Sequence, residues 1–150
     1  MTTMKAVRIR SFGGPEVLEL TDIEMPQPGD EEVLIRVRAA SVNPVDYKIR
    51  SGAYPVVKQD QLPKVLGRDV AGEVARCGRA VRNFKEGDTV YAMLDGGPGG
   101  YAEYVTVRAE LVAPKPAVLD YVRPQPCPSP DSRPGRASSI TAVFRPASAC

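Results

Sequence analysis

The chain has 150 residues, which is enough for one domain with a substantial core but too short for two full domains. With 43% hydrophobic residues, 25% charged residues and a formal charge of +2, it is typical of a globular protein and lacks the strong positive charge of most nucleic-acid-binding domains. It contains no histidine, which excludes Ser-His-Asp and Cys-His catalytic sites and any histidine-ligated metal.

Cysteine content and hydropathy exclude further classes of protein. The three cysteines fit neither a disulfide framework nor a paired-cysteine zinc motif. No run of eighteen apolar residues occurs, and the first ten residues lack a signal-peptide pattern. We therefore expect no membrane partner and no export, and we expect the protein in the cytoplasm.

The composition changes abruptly after Val122. Residues 1–122 carry 16 Lys and Arg against 17 Asp and Glu, whereas residues 123–150 carry four Arg and one Asp. The second segment has six Pro and five Ser but no Leu, Lys or Glu, so it cannot build a hydrophobic core. We predict a domain over residues 1–122 and a disordered tail over residues 123–150, acting as a linker or as a proline-rich docking segment. The positive charge of this tail is too sparse to favour an anionic partner.

Within the first 122 residues, short strand-like segments alternate with turn signals. Val33, Ile35 and Val37 recur with the period of two that is expected of a half-buried strand. In chain order, the predicted strands cover residues 4–10, 17–20, 33–37, 69–74, 89–93 and 102–107. Glycine-rich and proline-rich turn segments stand between them, at 13–15, 26–30, 87–88 and 96–100. Closely spaced strands of this kind favour a small barrel or a sandwich.

One segment, residues 43–52, has the pattern of a short helix. Asn43 is a favourable N-cap residue, Pro44 suits the first helical position, and Gly52 can end the helix. Val45 and Ile49 are four residues apart and therefore share one face. We predict that this helix packs on the barrel.

Four blocks of sequence resemble one enzyme family in both order and spacing. They are AASVNPVDYKIRSG at 39–52, GRDVAGEV at 67–74, FKEGDTVY at 84–91 and GGYAEY at 99–104. The blocks are similar to those of the zinc-independent quinone oxidoreductase branch of the medium-chain dehydrogenase/reductase superfamily, with similarity from residue 4 to about residue 122. The resemblance implies a mainly β fold for residues 1–122: the GroES-like, partly closed β-barrel with short helices that forms the N-terminal catalytic domain of alcohol dehydrogenase-like enzymes.

Differences from the zinc-dependent relatives imply a reaction without metal. Where those relatives place a Cys ligand and a nearby His, this chain has VNPVD at 42–46, and where they have Gly-His-Glu it has Gly67, Arg68 and Asp69. The resemblance then implies hydride transfer from NADPH to a small quinone or enone, with no zinc. Such a reaction suits a metal-free site because the cofactor supplies the hydride while the protein orients two planar groups.

The same resemblance implies four site residues. Asn43 corresponds to a cofactor-binding Asn near the nicotinamide, although it also suits a purely structural role as an N-cap. Tyr54 corresponds to an aromatic residue that lines the substrate cleft, and Lys48 to a cation that polarises a developing enolate, contacts a cofactor phosphate, or lies in solvent on the helix. Asp46 is a candidate cofactor-binding residue that either orients Lys48 or faces water in the first turn. Lys48 and Tyr54 are therefore the candidate catalytic residues.

The 150 residues contain no glycine-rich fingerprint for a dinucleotide. In the family, a second α/β domain holds most of the cofactor through such a turn. We therefore expect a truncated form of the enzyme that is inactive as this chain. The alternative is a non-enzymatic GroES-like barrel that serves as a binding or assembly module, because a fold alone does not decide function.

Residues 123–150 have the features of a translation in the wrong reading frame. The last base of each codon, taken with the first two bases of the next, permits the series ALPLAGLTAW across residues 125–135. That series resembles the continuation of the barrel in family members. A frameshift in a GC-rich gene also explains why the segment is rich in Pro, Ser and Arg.

Overall fold

The computed structural model describes residues 2–116 and 140–142. The strands are β1 (Thr3–Ile9), β2 (Leu18–Glu24), β3 (Glu32–Val42), β4 (Lys64–Val65), β5 (Asp69–Cys77), β6 (Thr89–Met93), β7 (Tyr104–Arg108), β8 (Val112–Pro114) and β9 (Ile140–Ala142). The α-helix α1 covers Pro44–Ser51, and three short 3₁₀ helices cover Pro15–Val17, Gln59–Gln61 and Ala109–Leu111. The prediction of a mainly β fold with short helices is confirmed.

The smaller sheet is built around β1, with the strand order β2, β1, β4. The strand β1 pairs antiparallel with β2 along its whole length and with β4 at its end. Met4 and Ala6 are buried on one face of β1, while Thr3 and Lys5, which alternate with them along the strand, are exposed. This alternation is the period of two that gives a strand one core-facing side.

The larger sheet has the order β7, β3, β5, β6, β8, and all of its pairings are antiparallel. The strand β3 is central: it pairs with β5 on one side and with β7 on the other. It is longer than the predicted 33–37 because the buried alanines Ala39 and Ala40 continue it to Val42. Two register irregularities against β5 bend it before it reaches the helix.

The main core lies inside the larger sheet and consists mostly of β-branched residues. Its fully buried members include Val33, Ile35, Val74, Val90 and Val105. Such residues suit strands because the pleated surface accommodates a branched Cβ. The described strands form two sheets instead of one continuous closed barrel, which fits the partly closed arrangement predicted.

The topology brings three segments together beside the end of β3. The chain leaves Val42 and enters α1 directly after Asn43, while β5 begins next to it at Asp69. The loop that precedes β5 contains Gly67, whose φ of 98° lies in the left-handed region that favours glycine. A Cβ on Gly67 would lie 2.7 Å from the ring of Tyr101, so the aromatic ring packs directly on this backbone.

Residues 117–139 and 143–150 lie outside the described residues and include most of the segment predicted as a tail, so its disorder and its frameshift stay predictions. Ile140–Ala142 pairs antiparallel with residues 40–42 of β3. No helix in the described part of the chain is long and apolar enough to cross a membrane.

Candidate functional site

The helix α1 begins and ends as its sequence predicts. Asn43 is the N-cap with extended backbone angles, Pro44 follows in the first turn, and Gly52 ends the helix in the left-handed conformation with a φ of 79°. The N–H of Gly52 donates to the carbonyl of Ile49 at 3.1 Å. These end signals are local, which is why a single sequence was enough to find them.

Asp46 is buried in the first turn of α1 and holds two segments together. Its side chain is among the described charged groups almost fully removed from water, with 3% of the residue exposed. Oδ2 accepts a hydrogen bond from the N–H of Asn43 at 2.7 Å, and Oδ1 accepts one from the N–H of Gly67 at 3.1 Å. The carboxylate therefore pins the start of α1 to the loop before β5.

This geometry corrects the two alternatives considered for Asp46. It does not face water, because two backbone N–H groups occupy its oxygens and hold it inside. It also does not orient Lys48: the two residues are two positions apart on a helix, where side chains do not face each other, and no ion pair joins them. The structure gives Asp46 a role in positioning the backbone.

The side chain of Asn43 belongs to a closed triangle of hydrogen bonds. Its Nδ2 donates to Asp69 Oδ2 and also to Ser41 Oγ, the latter at 3.0 Å. Ser41 Oγ donates to the same Asp69 oxygen at 2.8 Å. All three residues are half-buried, so the triangle is partly accessible to solvent.

Tyr101 closes the inner side of this group. Its hydroxyl donates to the carbonyl oxygen of Ser41 at 3.3 Å. Burial raises the pKa of the Tyr101 phenol, and the negative charges of the nearby Asp46 and Asp69 carboxylates raise it further. The hydroxyl therefore keeps its proton and acts as a hydrogen-bond donor through the neutral range of pH.

The two candidate catalytic residues lie on either side of the helix end. Lys48 is exposed on α1, with its side chain in solvent. Tyr54 is half-buried and packs against the small core cluster of Ile9, Ile49 and Leu66. Neither side chain takes part in the triangle around Asn43. A hydrogen bond thus joins Asn43 and Asp46, whereas Lys48 is exposed on the helix and Tyr54 belongs to a separate apolar cluster.

Three residues of the site were not singled out from the sequence: Ser41, Asp69 and Tyr101. All three lie in the family blocks: Ser41 is in AASVNPVDYKIRSG, Asp69 in GRDVAGEV and Tyr101 in GGYAEY. Their positions were therefore marked, but their roles were not. Ser41 precedes Asn43 by two residues and so shares its side of the chain as β3 ends. Their common site depends on strand pairing, which no local pattern encodes.

The donor chemistry around Asn43 does not match that of a zinc site. Structural and catalytic zinc ions take three or four Cys, His or carboxylate ligands. Within residues 2–116 and 140–142, no group of three or more His, Cys, Asp or Glu side chains is placed to hold a metal ion. Asp69 Oδ2 already accepts two hydrogen bonds, and the amide nitrogen that faces it is a donor without a lone pair for a metal.

Comparison with known proteins gives a consistent set of relatives. The family described as the alcohol dehydrogenase GroES-like domain matches residues 29–117. The quinone oxidoreductase of Homo sapiens is 45% identical over 119 residues, which are 79% of this chain and 35% of that protein. The chloroplastic NADPH-dependent alkenal/one oxidoreductase of Arabidopsis thaliana is 42% identical over 128 residues, covering 80% of this chain and 33% of that protein.

Solved structures agree with these sequence relatives. The quinone oxidoreductase from Coxiella burnetii superposes with a TM-score of 0.77 at 39% identity, over 80% of this chain and 39% of that chain. The quinone oxidoreductase of Escherichia coli complexed with NADPH has a TM-score of 0.72 at 30% identity, over 78% of this chain and 35% of that chain. The chain spans about a third of the length of the curated relatives that it matches.

Proposed function

The chain belongs to the alcohol dehydrogenase GroES-like domain family, and we propose that it is the catalytic domain of an NADPH-dependent reductase of quinones or enones that needs no zinc. The resemblance to the quinone oxidoreductase branch, inferred from four sequence blocks, is confirmed by the relatives and by the structural neighbours. The names of those relatives support both a quinone and an alkenal or alkenone as the substrate class.

The observation that carries the zinc-independent part of this proposal is the triangle of Ser41, Asn43 and Asp69. By the family resemblance, this is the place where a zinc-dependent enzyme needs a thiolate. Here the NH2 group of an amide donates to a carboxylate oxygen, so this donor and this acceptor satisfy each other. A metal ion would have to displace this hydrogen bond and would gain only one strong ligand.

The residues present also suit a nicotinamide beside the triangle, which is partly accessible to solvent. NADPH supplies the hydride when it is bound. Asn43 would hold the nicotinamide through its side-chain amide, which the neighbouring Asp69 keeps in place. Asp46 would support this contact indirectly, because its carboxylate binds the backbone N–H groups of Asn43 and Gly67 and so holds the backbone of Asn43 in place.

Lys48 and Tyr54 have positions compatible with substrate binding at the surface. The ammonium group of Lys48 lies in solvent, from where it can polarise a substrate carbonyl or pair with a cofactor phosphate. The half-buried ring of Tyr54 is held by the cluster around Ile49 and Leu66, so it offers a rigid apolar wall to a planar substrate. Orientation of two planar groups is the main task of such a site.

Turnover by these 150 residues alone is expected to be very weak, because the glycine-rich dinucleotide fingerprint is absent from them. The purified chain, mixed with NADPH and a quinone or an enone, should show no saturable, protein-dependent loss of NADPH absorbance. Clear saturable turnover would contradict the need for a second domain.

The frameshift proposed for residues 123–150 has its own test. The genomic DNA from codon 115 to beyond codon 150 should be sequenced again. Two results would support out-of-frame reading of residues 123–150. In the first, the DNA has an intact frame that continues into a nucleotide-binding domain, so that the sequence given for the tail is an error. In the second, a shift is confirmed and the alternative frame encodes that domain. Codons that disallow the series ALPLAGLTAW across residues 125–135 would refute it.

A further inference from the structure

The orientation of the Asn43 side chain depends on two neighbours. Nδ2 has two hydrogens: one points to Asp69 Oδ2 and the other to Ser41 Oγ. Ser41 Oγ spends its own hydrogen on the same Asp69 oxygen, at 2.8 Å. The donor hydrogens of the Asn43 and Ser41 side chains are thus all used within the triangle, whereas Asn43 Oδ1 takes no part in it.

A carboxylate permits only one of the two orientations that an amide can take. Half a turn about the last side-chain bond of Asn43 exchanges Nδ2 with Oδ1, which are alike in shape and opposite in hydrogen-bonding character. An ionised carboxylate only accepts hydrogen bonds, so it attracts Nδ2 and repels Oδ1. Asp69 therefore directs the NH2 group inward and leaves the carbonyl oxygen on the opposite side of the amide.

Asp69 itself is held in place without help from Asn43. It is the first residue of β5 and pairs with Met93 of β6. Two residues earlier, the N–H of Gly67 is bound by Asp46. The backbone of Asp69 is thus held by contacts on both sides, so its carboxylate can fix the orientation of the Asn43 amide.

We propose that Asp69 is a positioning residue that fixes the Asn43 amide so that its carbonyl oxygen, an acceptor, is offered to the carboxamide NH2 of a nicotinamide. This inference rests on the function proposed above, in which Asn43 contacts the cofactor. Asp69 acts through Asn43 and touches neither cofactor nor substrate. Ser41 assists by occupying the second hydrogen of the amide.

The chain offers a direct experiment because it contains two asparagines, Asn43 and the exposed Asn83. Labelling asparagine alone with a heavy nitrogen isotope gives two side-chain NH2 signals in the full chain, with Asn83 as the internal reference. We expect the NH2 protons of Asn43 to exchange with water on the order of tenfold more slowly than those of Asn83, because the hydrogen bond to the charged Asp69 must open before exchange takes place.

Substitutions at Asp69 then separate positioning from general stability. Asp69→Ala should remove the protection of Asn43, and Asp69→Glu, which keeps the carboxylate, should restore part of it. Glu73→Ala is the matched control: Glu73 lies on the same face of β5 and binds Arg38 at 3.0 Å, so Asn43 should be unchanged. Backbone spectra of each variant establish that it is folded.

Exchange of Asn43 as fast as that of Asn83, or protection that survives in folded Asp69→Ala, would overturn the inference. Titration with NADPH tests the proposed function separately, and it uses the protein obtained when the codons after residue 122 are read in the alternative frame, because these 150 residues lack the dinucleotide fingerprint. If NADPH shifts the Asn43 signals and leaves the Asn83 signals unchanged, the result supports both the proposed function and the role of Asp69. Asp69-dependent protection together with Asn43 signals that NADPH leaves unmoved would refute the contact with the nicotinamide, while Asp69 would still be shown to orient the amide.

Discussion

The site beside α1 and the outer surface of the small sheet use carboxylates in opposite ways. Asp46 is 3% exposed and binds two backbone N–H groups. Asp22 on β2 pairs with Lys5 on β1 at 2.8 Å, but 60% and 55% of the two side chains are exposed. The same residue type is thus a structural pin in one region and a solvated partner in the other.

The difference shows which carboxylates fix the structure of this domain. An exposed ion pair contributes little, because water and salt screen it and two long side chains must be ordered to form it. A buried carboxylate bound to backbone N–H groups is strongly coupled to the fold, since removing it leaves buried donors unsatisfied. The polar cluster around Asn43 should therefore be much more sensitive to substitution than the surface pairs.

Asp46→Ala is expected to have the largest effect. It leaves the N–H groups of Asn43 and Gly67 without their acceptor, so the free energy of unfolding should fall by about 4 kcal/mol. Asp88→Ala is the matched control, because Asp88 accepts one backbone bond, from Lys85, in an exposed turn, and its loss should cost only about 1 kcal/mol. Urea denaturation measures both losses, and equal losses would show that the buried Asp46 is no more important to stability than an exposed carboxylate.

Gly67→Ala should destabilise the protein by about 3 kcal/mol, through a left-handed backbone and a clash with the ring of Tyr101. Gly87 also has a positive φ, of 90°, but a Cβ there would meet nothing within 4 Å. Gly87→Ala should therefore cost only about 1 kcal/mol. Thermal unfolding of the two variants separates the cost of backbone conformation from the cost of the close approach.

Tyr101→Phe should change the way the stability of the domain depends on pH. At neutral pH it should cost about 1 kcal/mol for the hydrogen bond to the Ser41 carbonyl. The folded pKa of Tyr101 is raised, so its contribution is complete below the unfolded pKa of about 10 and is lost as pH rises through the folded value. Between these, wild-type stability should decline with pH, and Tyr101→Phe should lack that part of the decline. Parallel pH profiles would contradict the raised pKa.

The smallest effect is expected at the surface pair. Lys5→Ala and Asp22→Ala should each change the free energy of unfolding by less than about 0.5 kcal/mol, and a double-mutant cycle should give a coupling of the same size. The coupling should shrink further at high salt. A coupling as large as the loss in Asp46→Ala would erase the distinction between the two regions.

Local signals predicted the elements on which the site stands. The N-cap Asn43, the following Pro44 and the terminal Gly52 mark α1 within a single short stretch, and the structure places all three as expected. Alternating β-branched residues marked β3, although the prediction stopped at residue 37, because the consecutive alanines Ala39 and Ala40 end the apolar–polar alternation of the sequence. Both alanines are buried, as is Leu34. Short strands without a repeating pattern, such as β4, were missed for the same reason.

The contacts within the site could not be predicted from local patterns. Asp46 is 21 residues from Gly67, and the Asn43 amide meets Asp69 only because β3 and β5 are neighbours in one sheet. The first turn of a helix is usually a solvated place for an acid, which made Asp46 look like a surface residue. The family blocks marked these positions as important, but only the fold shows that Asp46 and Asp69 have different tasks.

The most direct test of the proposed function uses the protein obtained when the codons after residue 122 are read in the alternative frame. We expect it to oxidise NADPH with saturable dependence on a quinone or an enone, and to keep its full rate in the presence of a metal chelator. Asn43→Ala should lower that rate. Absence of turnover in the folded protein, or turnover that the chelator abolishes, would contradict assignment of this domain to a zinc-independent reductase.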